Sequence, residues 1–175
     1  MDMYGGSVEL VYRLTPQDVA YGLDARARAT RAGRRARRLL VAIGVLLPLG
    51  GALDLWKGER PATGAVMVAL GAAAWLLRRY GTRLTARGFT GLLAKAGEMR
   101  TTVDDTGIRL VAADSDTRVG WRLQPRYVET EHVFVMLSED RRAVGLTVLP
   151  KRAATDPADI DRIRSIFDRN LTRAS

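Results

Sequence analysis

Few side chains in this sequence have the reach for chemistry. There is no cysteine and a single histidine, His132, so composition excludes a thiolate metal site, a disulfide framework and a cysteine nucleophile. The densest mixture of titratable groups is "ETEH", residues 129–132. On a strand, Glu129 and Glu131 face one side and His132 the other, so acid, base and metal-binding nitrogen do not converge there unaided. "DDTG" (104–107) and "DSD" (114–116) hold calcium-type oxygens without the twelve-residue frame of a calcium loop, and read as turns. Gly81, Gly88, Gly91 and Gly97 lack both the spacing and the preceding strand of a phosphate-cradling loop. The reading assigns no catalytic, cofactor-binding or metal-ligating residue, and expects a protein that is not an enzyme and needs no cofactor.

What remains is cationic. Residues 26–38, "RARATRAGRRARR", contain seven arginines and no acid. Arg78 and Arg79 open a second basic stretch that runs to Lys95. Of the 28 basic residues 25 are arginine, in an alanine-rich chain, the bias expected of a GC-rich bacterial genome. The net charge of +9 invites a nucleic-acid reading, but its distribution argues against one. Residues 101–175, the most domain-like part, hold 12 basic and 12 acidic groups, and the whole excess lies in residues 1–38 and 78–100. A nucleic-acid domain carries its own basic face, because phosphate neutralisation supplies most of its affinity. No nucleic-acid partner is expected.

The basic stretches flank two apolar blocks, and the blocks explain them. Residues 39–56 and 61–77 are each close to the length that spans a bilayer as a helix, neither shows a polar face, and only a few residues separate them. They predict a transmembrane helical hairpin. Buried core helices of a soluble protein are the alternative, but the remaining chain offers no partner large enough to cover them. Pro48 is expected to kink the first helix, Ala65, Ala69 and Ala73 to form the small-residue stripe of the second, and Asp54 to lie near the end of its span, where water is reachable. The loop carries only Lys57 and Arg60 against Glu59, so the positive-inside rule puts both termini in the cytoplasm and the hairpin in the inner (plasma) membrane of a bacterium. Arg34, Arg35, Arg37, Arg38, Arg78 and Arg79 become candidate topology and anionic-lipid contacts. A cleaved leader is disfavoured by the 38 residues ahead of the first block and by the second span directly after it.

Around the hairpin, the pattern predicts an α+β fold. "SVELVYRL" alternates as a half-buried strand, and "TPQD" starts a helix, with Thr15 as cap, Pro16 in the first turn and Asp18 reaching back, that runs toward Arg38 with Gly33 as a point of interruption. Residues 1–38 are thus a strand plus a basic helix, 39–77 the hairpin, and 78–98 a basic connector that either lies on the headgroups or packs on the domain. Residues 99–175 read as short strands joined by tight turns, with Trp121 a core residue on one of them, then an amphipathic helix capped by Asp156 with Pro157 at its start. A small antiparallel sheet or barrel followed by one helix is the outline of a pleckstrin-homology-like (PH-like) domain. Lys151 and Arg152, between the last strand and that helix, are candidates for contact with a ligand or partner, or for an ion pair with Glu129 and Glu131.

The whole chain resembles the YcxB-like family of bacterial membrane proteins. The resemblance rests on "YRLTPQDV", the basic pair of spans, and "VGWRLQPRYVETEHVFVML" with "LTVLPKRA", and on Trp121, Glu129, Thr130, Phe134, Pro150, Lys151 and Arg152 within them. It implies a two-span anchor with a cytoplasmic PH-like C-terminal domain, and no particular activity. The functional expectation is a membrane-anchored binding or regulatory module that contacts anionic lipid or a protein partner. Its rival is an accessory subunit of a membrane transporter or membrane enzyme complex.

Overall fold

The protein, seen in a computed structural model that describes residues 7–58, 60–140 and 145–174 (Leu92 by its backbone alone), is a mixed α+β structure. Glu59 and residues 141–144 lie outside the described residues. Strand β1 (Val8–Tyr12) leads to helix α1 (Pro16–Ala29), then α2 (Arg31–Lys57), α3 (Pro61–Arg87) and the short α4 (Thr90–Ala96). Strands β2 (Met99–Asp104), β3 (Gly107–Ala112), β4 (Ser115–Gly120), β5 (Arg126–Glu129), β6 (Val133–Leu137) and β7 (Leu146–Pro150) follow. Helix α5 (Pro157–Asn170) and a two-residue strand β8 (Thr172–Arg173) close the chain.

The strands make two four-stranded sheets, ordered β1-β2-β3-β4 and β7-β6-β5-β8, and no closed barrel forms among the described residues. All pairings are antiparallel except β8, which joins β5 in parallel. The N-terminal strand is an edge of the first sheet, with Val8 opposite Val103 and Tyr12 opposite Met99. Strand β1 and helix α1 therefore share their cores with the strands and helix that follow residue 98, and no packing boundary falls there. Leu10, Val103 and Ile108 of one sheet meet Tyr127, Phe134 and Met136 of the other, with Phe167 of α5 wedged among them. Its ring lies 5.3 Å from Tyr127, 5.4 Å from Phe134 and 5.7 Å from Trp121, the tilted and edge-on spacings that aromatic quadrupoles favour. Trp121 itself sits just past β4, in a turn, partly buried, where its indole N–H donates to the Asp105 carbonyl.

Strand β6 is buried at all five positions. Phe134 and Met136 face the shared core, whereas Val133, Val135 and Leu137 lie beneath Ala25 and Ala29 of α1. A strand covered on both faces reads as an unbroken apolar run, as "VFVML" does. Helix α1 begins with the capping box expected from "TPQD": Thr15 accepts from the Asp18 amide and Asp18 accepts from the Thr15 amide. It stops earlier than its basic continuation suggests. Thr30, extended and buried, ends α1 and caps α2 by accepting from the Gly33 amide. The interruption is thus at Thr30. Gly33 serves the turn instead, since a Cβ there would sit 2.2 Å from the Ala27 carbonyl oxygen.

Each long helix has 27 residues, about 40 Å, and so extends well past its apolar block. The block 39–56 lies inside α2, and α3 continues unbroken from 61 to Arg87, so Arg78, Arg79, Arg83 and Arg87 ride on the helix itself; the connector expected over 78–98 begins only after it, with α4. The hairpin packs through glycine. Gly51 and Gly64 approach so closely that a Cβ on either would lie within 2.7 Å of the other's carbonyl oxygen, and Pro48 seats against Gly71. The Trp75 indole N–H donates to the Gly44 carbonyl at 3.2 Å. Ala65, Ala69 and Ala73, expected to form this seam, are exposed; Gly64, Gly71 and Ala74 form it, because the helix rotates them toward α2. Only 11% of the apolar window of α2 and 17% of that of α3 is buried, with Leu46, Leu49, Leu53, Leu70, Leu76 and Leu77 open. Both helices are long and apolar enough to cross a membrane.

Candidate functional site

Because α2 and α3 are antiparallel, the basic start of α2 and the basic end of α3 emerge side by side. Helix α1 lies against both there, and against β6 and β7 on its other side. These helices enclose a groove of about 870 Å³. Helix α3 supplies Arg78, Arg79, Arg83 and Arg87, α2 supplies Arg37, and α1 supplies Tyr21, Asp24 and Arg28. Asp24 is the groove's one carboxylate, and it is held by Arg28 and, at 3.7 Å, by Arg37. Arg78 lies 5.3 Å over the Trp75 ring and Arg79 5.9 Å over that of Tyr80. Among the described residues no carboxylate pairs with Arg78, Arg79, Arg83 or Arg87.

The other arginines singled out by sequence are dispersed. Arg34 donates to the Arg28 and Ala29 carbonyls at 2.9 and 3.0 Å, which satisfies the open end of α1. Arg35 lines a second cavity, about 740 Å³, that also contains Arg31, Arg126, Glu139 and Asp140. Arg38 is exposed. The groove thus gathers Arg37, Arg78 and Arg79 but neither Arg34, Arg35 nor Arg38. Arg83 and Arg87, which sequence reasoning left in a connector, belong to it, and the unbroken run of helix past Arg79 was the signal that the basic composition obscured.

Lys151 and Arg152 are each occupied within the chain. Lys151 Nζ lies 2.7 Å from Glu129 Oε1 and 4.8 Å from the centre of the Phe134 ring. Arg152 donates to Asp18 at 2.6 Å and to the Arg13 carbonyl at 2.7 Å, tying the start of α1 to the end of β7. Glu129 takes up the ion pair that was open to Lys151 and is buried with it: its side chain is 7% exposed, β5 ends on it, and Arg164 and Arg173 join Lys151 around it. The Arg164 guanidinium, and then Lys151, overcome the effect of burial and hold its carboxyl at about 2. Burial pushes Asp18 up, but hydrogen bonds from Arg152 and Thr15 outweigh it, and the carboxyl lies below its ordinary value. Burial, then donation to Asp168, pushes the Tyr127 hydroxyl up to about 12. Glu131 and His132 belong to the turn after β5, where His132 stacks on Tyr21 at 4.3 Å.

These pairings fasten sheets, α1 and α5 together, and the groove is an exposed cationic feature with a defined shape. An arginine-lined groove recognises phosphate or carboxylate through charge-assisted hydrogen bonds. Comparison with protein-family models, with curated proteins and with solved structures gave no match to this chain.

Proposed function

We propose that this protein is a two-span membrane protein of the bacterial plasma membrane, whose hairpin holds a cytoplasmic PH-like binding domain at the inner leaflet. One observation carries the reading. The apolar faces of α2 and α3 are open, while the arginines of both helices and the folded domain are gathered at one end. An aqueous setting would leave those leucines hydrated, whereas a bilayer about 30 Å thick covers them and leaves the basic ends outside. The positive-inside rule then orients both termini to the cytoplasm. Two packed sheets with a C-terminal helix inserted into their core support the PH-like description, as does the resemblance to the YcxB-like family. The role in this reading is binding and regulation: the cluster around Glu129 is an internal ion-pair network, whereas the arginine-lined groove is open to an anion.

Alkaline carbonate treatment of membranes tests the anchor. The full-length chain is expected to stay in the pellet, and its release to the supernatant would remove the proposal. The accessory-subunit alternative predicts that the chain leaves mild detergent with a stoichiometric membrane partner. The binding-module reading predicts that it leaves as its own species.

A further inference from the structure

Resting on the membrane reading above, we infer that the groove between α1 and α3 is a binding site for the phosphate of an anionic phospholipid headgroup, with Arg78, Arg79, Arg83 and Arg87 as its ligands. Three features lead there. The four guanidiniums line one groove, and among the described residues none is neutralised by a carboxylate. Arg79, Arg83 and Arg87 follow one another on successive turns of one helix, with Arg78 beside the first; like charges at that spacing repel, and a bound anion relieves the repulsion. The wall opposite α3, formed by α1, adds the Tyr21 hydroxyl, which accepts from Gln17 Nε2 at 2.8 Å and so keeps its proton for a further acceptor.

Position selects the source of the phosphate. Trp75, half exposed, lines the same groove and marks where α3 turns from apolar to basic. Just beside it Leu76 and Leu77 are open. A headgroup phosphate held by the arginines would thus leave its acyl chains against apolar helix surface. A soluble phosphate gains only the polar half of that arrangement. An anionic headgroup, whose only charge is its phosphodiester, satisfies the arginines, whereas a zwitterionic headgroup brings its own cation into a groove that already has an excess of positive charge.

The test uses the full-length chain in a non-ionic detergent, titrated with phosphatidylglycerol bearing a fluorescent acyl chain, and with phosphatidylcholine of the same chain and label. Phosphatidylglycerol is expected to bind about tenfold more tightly, and Arg83→Gln with Arg87→Gln to remove that preference. Arg78→Gln with Arg79→Gln should act alike. Arg35→Gln with Arg38→Gln takes the same charge from outside the groove and is expected to leave the preference within about twofold. Equal losses from the pairs inside and outside would reduce the effect to general positive charge and overturn the site. Displacement of the lipid by inorganic phosphate at about 10 mM would overturn the lipid as its occupant. All three variants carry exposed substitutions, and matched thermal midpoints show that the fold is kept. Carbonate extraction separates the two layers of the argument: a chain retained in membranes without lipid preference refutes the site alone, whereas a chain released refutes the anchor and this site with it.

Discussion

Glu129 gathers three cations on one buried carboxylate, from β7's end, α5 and β8. Removing one partner of a buried ionic cluster leaves the others uncompensated, so Glu129→Gln is expected to destabilise the domain by about 3 kcal/mol, read from thermal or urea unfolding in detergent. The pH dependence has a definite sign. A carboxyl held at about 2 in the folded state, against 4.5 ordinarily, contributes stability that is present above pH 4.5 and fades as pH falls toward 2. At the alkaline end, Tyr127 contributes stability that is present below pH 10 and is lost as pH rises through about 12. Unfolding midpoints across both windows should show both losses, and Glu129→Gln should flatten the acidic one. A pairing of Lys151 with Glu129 was conceivable from sequence because each lies at the end of an expected strand. Arg164, 35 residues away on a helix, had no local signature linking it to the same carboxylate. Nor did Asp18 and Arg152, separated by 134 positions.

Among the elements, those with strong local chemistry were legible: the Thr15 and Asp156 caps, the prolines after them, the turns of the antiparallel strands, and the two apolar helices. The break at Thr30 was not. A threonine within a run of arginine and alanine looks like helix interior, and only the packing of α1 across β6 decides that the chain must turn there. The helix seam was misassigned for a related reason. The evenly spaced alanines and the uneven set Gly64, Gly71 and Ala74 are both plausible small-residue faces, and the crossing of α2 with Pro48 against Gly71 selects the second. A Cβ on Gly71 would meet Pro48 Cγ at 2.2 Å, and the proline ring cannot turn aside. Gly71→Leu is therefore expected to part the hairpin, lowering the unfolding midpoint in detergent, whereas Ala69→Leu, on the exposed face, should leave it unchanged.

For the molecule as a whole, α1 is the joint. It covers β6 and β7 on one side and meets α2 and α3 on the other, so sheet, groove and hairpin are joined through one helix. Residues 99–175 alone lose β1 from the sheet edge and α1 from the face of β6, which uncovers Val133, Val135 and Leu137. That segment is expected to aggregate or stay unfolded when expressed by itself, as near-ultraviolet circular dichroism would show, and a folded 99–175 would refute the joint. Sequence reading divided the chain at the hairpin because apolar blocks are conspicuous. It had no means of seeing that the parts on either side close over one core.

The central claim is that α2 and α3 cross the bilayer with the domain on the inner side. The native chain has no cysteine, so Lys57→Cys at the end of α2 and Ser115→Cys at the start of β4 can each report alone. With a membrane-impermeant maleimide on cells whose outer envelope has been opened, the account predicts labelling at position 57 with the plasma membrane intact, and at position 115 only after that membrane is permeabilised. Labelling at 115 in intact cells with protection at 57, or free labelling of both from the soluble fraction, would contradict it.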